Sequence, residues 1–446
     1  MISFATLLLG LVFGQQLVVL EVAPGVETVR LELDQRVVAT ISGPPWSTVC
    51  DFGDRLQPHH LVASAYDADG ELLESVEKWI NLPRGATAVE ASLRPGETAG
   101  QGDQLLLRWQ NVYGDAPTRV RVTFDGTVVP SRDPQRFTLP DYDPEILHVV
   151  GVEVDFPHNL SSVEELTVGG GQVERSVREL TGIPVLVGRA GSDVTPAHFE
   201  GSLEAAGKPV RVTAVEEGPA QVVVVFDPRA QSDIERFLEK GMPRVRKRRI
   251  RLGYQEPTGR GGAFLSLIRP GDWVRFVWPF AQRSSTEATD FDVFDFSREY
   301  TRDEASFVGL LRYLDPPSSR TAGPQRLSDA VAVAGLLASN RSRRRAVIVV
   351  LGEADADTSN LAPSMVRDYL ASLGVPLFVW ATTSEVARAA EPQWGDVQWI
   401  ASIYSLEDAI ERVGKHLARQ RIVWVEGAHL PQSLEAAPGS RLSVVR

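Results

Sequence analysis

Apolar and polar residues alternate along "VRLELDQRVVAT" (29–40), where Val29, Leu31 and Leu33 face one way and Arg30, Glu32 and Asp34 the other. The stretch "VRVTFDGTVVPS" (120–131) repeats the scheme with Val120, Val122 and Phe124. A period of two predicts half-buried strands, and Asp125-Gly126 predicts a hairpin turn because Gly accepts positive φ. From Gln16 to about Gly171 such runs are broken by Gly, Pro, Asp and Asn, which predicts small antiparallel sandwiches. The parallel extends to "PPWSTVCDFGDRLQPHHLVASAYDADGELL" and "PQRFTLPDYDPEILHVVGVEVDFPHNLSSV", each an aromatic, an acidic turn and a strand. Two related β-sandwich modules are expected, 16–83 and 84–171, and such duplication is commoner in spacers and binding modules than in catalytic domains.

After Gly218 the period changes, and strand-like runs alternate with amphipathic helices. Strands are expected at 222–226, 273–277, 291–296, 346–351, 376–380, 397–401 and 422–425. Helix faces show at Phe307, Leu310, Leu311 and Leu314, at Val366, Tyr369, Leu370 and Leu373, and at Leu406, Ala409, Ile410 and Val413. Thr301 with Glu304 predicts a capping box, and Ser405 predicts a cap for "LEDAIERV". The fold class is α/β, a doubly wound mostly parallel sheet over 217–420, reached through a β-rich lead-in at 172–216 in which Ala206-Gly207 turns a hairpin. Residues 421–446 hold a strand and a tail that reads either as a further strand or as a free end.

A chain of 446 residues, 43% hydrophobic and 23% charged, is globular and long enough for two to four domains. Its net charge of -12 argues against nucleic acid, which needs an excess of Lys and Arg. Cys50 is the sole cysteine, so internal disulfides and thiolate zinc sites are excluded. Residues 1–15 contain an apolar core, Phe4 to Phe13, of signal-peptide length, which predicts an extracytoplasmic protein; the competing reading is a buried first strand. No later segment has the length of a transmembrane helix.

Chemical motifs are sparse. His59-His60 and His148 lack a third ligand at useful spacing and read as turn and pre-strand residues. The glycines at 169–171 and 259–262 lack a nucleotide-loop context, and no GxSxG, HExxH or Walker A frame occurs. "RVRKRRIRLG" (244–253) reads as a solvated insertion or, through 244–251, as a contact for an anionic surface. The "RSRRRA" run (341–346) suits a helix end before a buried strand.

The ordered segments "PAQVVVVFD", "LIRPGDWVRFVWPF", "FDVFDFSREYTRDEASFVGLLRYL", "LSDAVAVAGLLA", "RRRAVIVVLGEADADTSN" and "YLASLGVPLFVWATT" together resemble a von Willebrand factor A (VWFA) domain, of the bacterial extracytoplasmic VWFA-related type. The resemblance covers about residues 195–420. It implies a Rossmann-like sheet with one antiparallel edge strand, here behind two Ig-like modules, and a metal-ion-dependent adhesion site at the C-terminal strand ends. That family site uses Asp-x-Ser-x-Ser after the first strand, a Thr before the helix that here begins near Leu327, and an Asp after the fourth main strand.

On this chain those positions fall on Asp227, Arg229, Gln231, Gln325 and Glu353, with Thr321 too far away to serve as the threonine. Magnesium wants six oxygens at close range; two hydroxyls are gone, and a guanidinium only donates. The resemblance thus implies a degenerate site with neither Mg nor Mn, no catalytic residues and no cofactor. Arg229 is expected either to neutralise Asp227 or Glu353 in the metal's stead or to point into water. The expected function is binding of a protein partner, without enzymatic activity, through Asp227, Arg229, Gln231, Glu353 and Asp355. The alternatives are a structural envelope component and a metal-dependent hydrolase built on Asp227, Glu353, Asp355 and Asp357.

Overall fold

In the computed structural model the two alternating regions are sandwiches built to one plan. Residues 2–445 are described apart from 7, 9–10, 23, 84–86, 95–101, 112–115, 144–147, 158–159, 169–179, 189–193, 242–270, 286–289, 302–306, 315–324, 341–342, 353–356, 439 and 441. The first module holds β1 (Ile2–Phe4), β2 (Gln15–Val22), β3 (Thr28–Leu33), β4 (Arg36–Ile41), β5 (Ser47–Asp51), β6 (His59–Tyr66) and β7 (Leu72–Ile80). Sheet β1-β2-β5 faces sheet β4-β3-β6-β7, and alternate residues such as Val29, Leu31, Leu61 and Ala63 close on Val18, Leu20 and Cys50.

The second module holds β8 (Thr87–Arg94), β9 (Gln104–Asn111), β10 (Arg119–Phe124), β11 (Thr127–Val129), β12 (Arg136–Thr138), β13 (His148–Phe156) and β14 (Leu160–Val168). Its sheets are β8-β9-β12 and β11-β10-β13-β14, so adding seven to each strand number of the first module gives the pairing of the second. The expected duplication therefore extends to the whole topology.

Histidine chemistry repeats as well. Asp34, at φ 51° in the β3–β4 turn, takes the His60 amide at 2.8 Å and the His59 ring at 2.7 Å. Asp125, at φ 47° in the β10–β11 turn, takes the Val149 amide at 2.9 Å and the His148 ring at 2.6 Å. His59 and His60, expected in a turn, open β6, and His148, expected just before a strand, opens β13; His59 and His148 each clasp a hairpin turn to the strand beside it. Neighbouring strand residues point to opposite faces, so His60 turns away from His59, stacks on Trp79 at 4.0 Å and meets Glu77 at 2.7 Å.

Burial alone would raise the Asp34 carboxyl, but His59 and the His60 amide outweigh it and hold the group below its usual 3.8. His148 and the Val149 amide do the same for Asp125. A carboxyl held low in the folded chain contributes stability that is complete above the unfolded value and lost as pH falls through the folded one. Asp34→Asn keeps a residue type that tolerates left-handed φ and removes the charge. It is expected to be less stable than wild type at neutral pH by about 1–2 kcal/mol. The gap should close below about pH 4, read from urea midpoints across the acid range.

Part of the segment expected before residue 16 pairs with the first module. Ile2–Phe4 pairs with Leu20–Val22, Ile2 and Val12 are buried, and β1 holds the place that β8 holds in the second copy. Of the run Phe4–Phe13, Phe4 ends β1 and Val12 is buried, while residues 7 and 9–10 lie outside the described residues. Cys50 is buried in the same core, and burial pushes its thiol up to about 11.

Beyond the second module come β15 (Leu180–Leu186), β16 (Leu203–Ala205), β17 (Lys208–Pro209) and β18 (Val212–Glu216), with the β16–β17 hairpin turning at Ala206 and Gly207. The α/β unit follows: β19 (Ala220–Phe226), α1 (Gln231–Gly241), β20 (Trp273–Ser285), β21 (Asp290–Phe296), β22 (Tyr300–Thr301), α2 (Phe307–Tyr313), α3 (Leu327–Ser339), β23 (Arg344–Leu351), α4 (Pro363–Ser372), β24 (Leu377–Ala381), α5 (Ser384–Trp394), β25 (Val397–Trp399) and α6 (Ile403–Arg419).

Its sheet runs β21-β20-β19-β23-β24-β25, parallel except for β21, with β22 beside β20. β19 is apolar throughout because both its faces are covered. Val222, Val224 and Phe226 pack with residues of α1, α2 and α6, while Val223 and Val225 pack with those of α3, α4 and α5. Thr301 pairs with Trp273 in β22, and Glu304 lies outside the described residues. The α6 cap is Ser402, with Ser405 as its reciprocal partner one turn in.

The chain closes with β26 (Gln420–Glu426), β27 (Leu434–Ala436) and β28 (Ser443–Val444). The strand expected to join the parallel sheet at 422–425 does not do so: β26 lies antiparallel between β18 and β15. Gln420 follows Arg419 directly, leaving no loop to bring the chain back into the parallel layer. Lead-in and tail together make a third β unit around Val185, Phe199, Leu203, Val423, Val425 and Leu434. Among the described residues no helix is long and apolar enough to cross a membrane.

Candidate functional site

The first apolar strand ends at Phe226, and the chain must turn there because Pro228 supplies no amide to a ladder. Asp227 caps that turn by accepting the Arg229 amide at 3.0 Å and is itself almost wholly buried, 1% exposed. A carboxylate so deep needs compensation. It comes from Arg229, whose Nε donates to Oδ1 at 3.0 Å and Oδ2 at 3.2 Å, from the Gly352 amide to Oδ2 at 3.1 Å, and from Gln325 Nε2 to Oδ1 at 3.0 Å. Arg229 Nη2 in turn donates to Gln325 Oε1, which fixes the amide's orientation.

Three places supply these groups, the β19–α1 turn, the segment leading into α3 and the residue that follows β23. Gln325 is held by isolated bridges to Phe280 and Asp357, and its carbonyl accepts the Thr358 amide at 2.8 Å and hydroxyl at 2.9 Å. Gly352 faces the turn so closely that an added Cβ would lie 2.2 Å from the Ala230 nitrogen. Only glycine permits that approach.

Of the expected positions, Asp227, Arg229 and Gln325 are brought together. Gln231 begins α1, and its amide donates to the Arg312 carbonyl at 3.3 Å. Glu353, Asp355, Thr321 and the basic stretch 244–251 lie outside the described residues, as do the glycines at 169–171 and 259–262. Asp357 has another task. It accepts the Leu327 and Ser328 amides at 2.9 and 3.1 Å and the Ser328 hydroxyl at 2.6 Å, satisfying the first donors of α3.

A divalent ion does not fit the residues that are seen. Mg needs small oxygen ligands on a face open to it, whereas both Asp227 oxygens meet donors and Arg229 brings its own positive charge against them. Arg229 is not a free surface cation: its side chain is 32% exposed and lies across the carboxylate.

Two residues of the same rim carry no sequence signal. Because β19, β23, β24 and β25 are parallel, Trp399 at the end of β25 shares an edge of the sheet with Asp227, and Tyr404 follows in the first turn of α6. They are 51% and 74% exposed. Only the contrast with the buried Leu406, Ala409 and Ile410 of α6 could have flagged Tyr404.

No protein-family model matches the chain, and no curated protein matches it. Among solved structures it is similar to fibronectin(III)-like modules of Clostridium thermocellum CbhA, with 15% identity over 18% of this chain and 93% of that one, TM-score 0.16. It is also similar to the central fibronectin-III array of RIM-binding protein, with 11% identity over 44% and 80%, TM-score 0.22. A β-glucuronidase from glycoside hydrolase family 2 gives 11% identity over 44% of this chain and 26% of that one, TM-score 0.18. At these scores the likenesses carry no argument about a site or an activity.

Proposed function

We propose that the chain is a non-enzymatic binding protein in which β-sandwich modules carry a von Willebrand A-like domain that engages a protein partner without a divalent ion. The observation that supports this most is Arg229 laid across Asp227, the place where the family resemblance puts a metal ligand. An internal cation holds the loop in one geometry, so the rim is pre-organised and needs no ion to complete it. Exposed aromatic residues are the side chains that most often anchor interfaces, and Trp399 and Tyr404 stand on this rim. Asp227 and Asp357 are both engaged in holding backbone, which leaves neither as a free base for the hydrolase alternative.

Crosslinking the tagged protein in its own cells, with and without a chelator, tests the reading. The same partner is expected in both arms, and Trp399→Ala with Tyr404→Ala should lose it. A partner that disappears with chelator, or survives the double variant, would overturn the reading.

The structural alternative draws on a specific contact. Leu56 shares a core with α3 and α4, and the Tyr369 hydroxyl donates to the Asn81 carbonyl at 2.8 Å, so the first module packs on the α/β unit. We also propose an extracytoplasmic location, and the native N-terminus tests it. Cleavage after residue 15 would support export by a removed signal and delete β1, while an intact N-terminus would sink that route.

A further inference from the structure

Away from the Asp227 loop, a cleft of about 600 Å³ opens at the edge of the parallel sheet, bordered by α4, α5 and α6. That volume lies in the range of small-molecule sites. It exists because β25 is short. Its pairing with β24 covers only Val379–Ala381, so Leu377 and Phe378 have no strand beyond them among the described residues.

The walls are mixed: Leu377, Phe378, Trp380 and Trp394 form the apolar part, and Asp368, Asp396 and Gln398 lie among the basic residues of the polar part. Its charged groups are unevenly satisfied. Arg412 meets Asp396 at 2.8 Å and Lys415 meets Glu411 at 2.9 Å, whereas Arg367 makes no hydrogen bond or ion pair among the described residues. Three deeper groups are unbonded as well, one of them the acceptor Gln398 Oε1. The Trp380 indole is fully buried with Nε1 unbonded, and His416 Nε2 is buried and unbonded. Burial, with Arg419 nearby, pushes the His416 ring below its usual range.

A buried donor without an acceptor is costly, and an unpaired guanidinium beside an apolar wall selects planar anions. We propose that this cleft binds a small free carboxylic acid with a ring-sized apolar body, the carboxylate at Arg367 and the body against Leu377 and Trp394.

Calorimetric titration of the full chain with 3-phenylpropionate, its primary amide and acetate tests this. The acid is expected to bind with a Kd of roughly 0.1–1 mM, given the size of the probe. The amide, which lacks the charge, and acetate, which lacks the body, should each bind at least about tenfold more weakly. Arg367→Gln should lose about tenfold for the acid and leave the amide unchanged, while Arg367→Lys should keep most of the affinity. Acid and amide binding alike, Arg367→Gln binding the acid as wild type does, or no heat with the acid up to about 10 mM would each overturn the proposal.

Discussion

Gly352→Ala is expected to destabilise the chain by roughly 3 kcal/mol or more, the sum of overpacking and a disturbed buried hydrogen bond. The new methyl would sit 2.2 Å from the Ala230 nitrogen and 2.5 Å from the Arg229 carbonyl carbon, both backbone atoms that no side-chain rotation can move aside. Relief requires separating the end of β23 from the β19–α1 turn, and that separation breaks the Gly352 amide's bond to Asp227. Asp227 would then lose a donor while still buried. Chemical denaturation of the variant against wild type measures the loss, and a change under about 0.5 kcal/mol would mean that the turn gives way easily.

The second large effect is a gain. Replacing both Arg229 and Gln231 by serine removes the cation that covers Asp227 and places hydroxyls at the two positions where the proposed von Willebrand A-like reading expects them. Without metal the variant should be less stable by about 1–2 kcal/mol. That is below the 3–5 kcal/mol of a fully buried broken pair, because Arg229 is partly exposed and Asp227 keeps the Gly352 and Gln325 donors. With millimolar Mn²⁺ the double variant should recover stability through binding to the folded state, while wild type stays unchanged. If Mn²⁺ fails to raise its melting temperature, more than the two serines separates this loop from a metal site. Gln325 in the threonine position is the first suspect.

Much of this was legible in the sequence because it rests on short-range pattern. Alternation at Val29, Leu31 and Leu33 and at Val120, Val122 and Phe124 located the two sandwiches, and helical spacing located the buried faces of α2, α4 and α6. The Asp227–Arg229 contact joins two positions only two residues apart, so it too lies within short range. What long-range pairing decides was not legible. β26 has a composition that suits either sheet, and only its immediate attachment to α6 sends it to β15 and β18. The pairing of Ile2–Phe4 with Leu20–Val22, which matches β8 in the second copy, left no trace in the apolar pattern of residues 1–15. The pairing of His59 with Asp34, and of His148 with Asp125, joins residues about two dozen positions apart through a turn geometry that composition does not encode. Asp357 looked like one more carboxylate in an acidic run, and its hydrogen bonds make it the cap of α3.

The central claim is that Arg229 does for Asp227 what a divalent ion does in a working adhesion site. Calorimetric titration of Mn²⁺ into the metal-stripped wild-type chain at neutral pH tests it most directly. The arrangement of Asp227, Arg229, Gln325 and Gly352 predicts no stoichiometric binding at micromolar to low millimolar Mn²⁺. One Mn²⁺ bound per chain with micromolar affinity, and lost on Asp227→Ala, would contradict it.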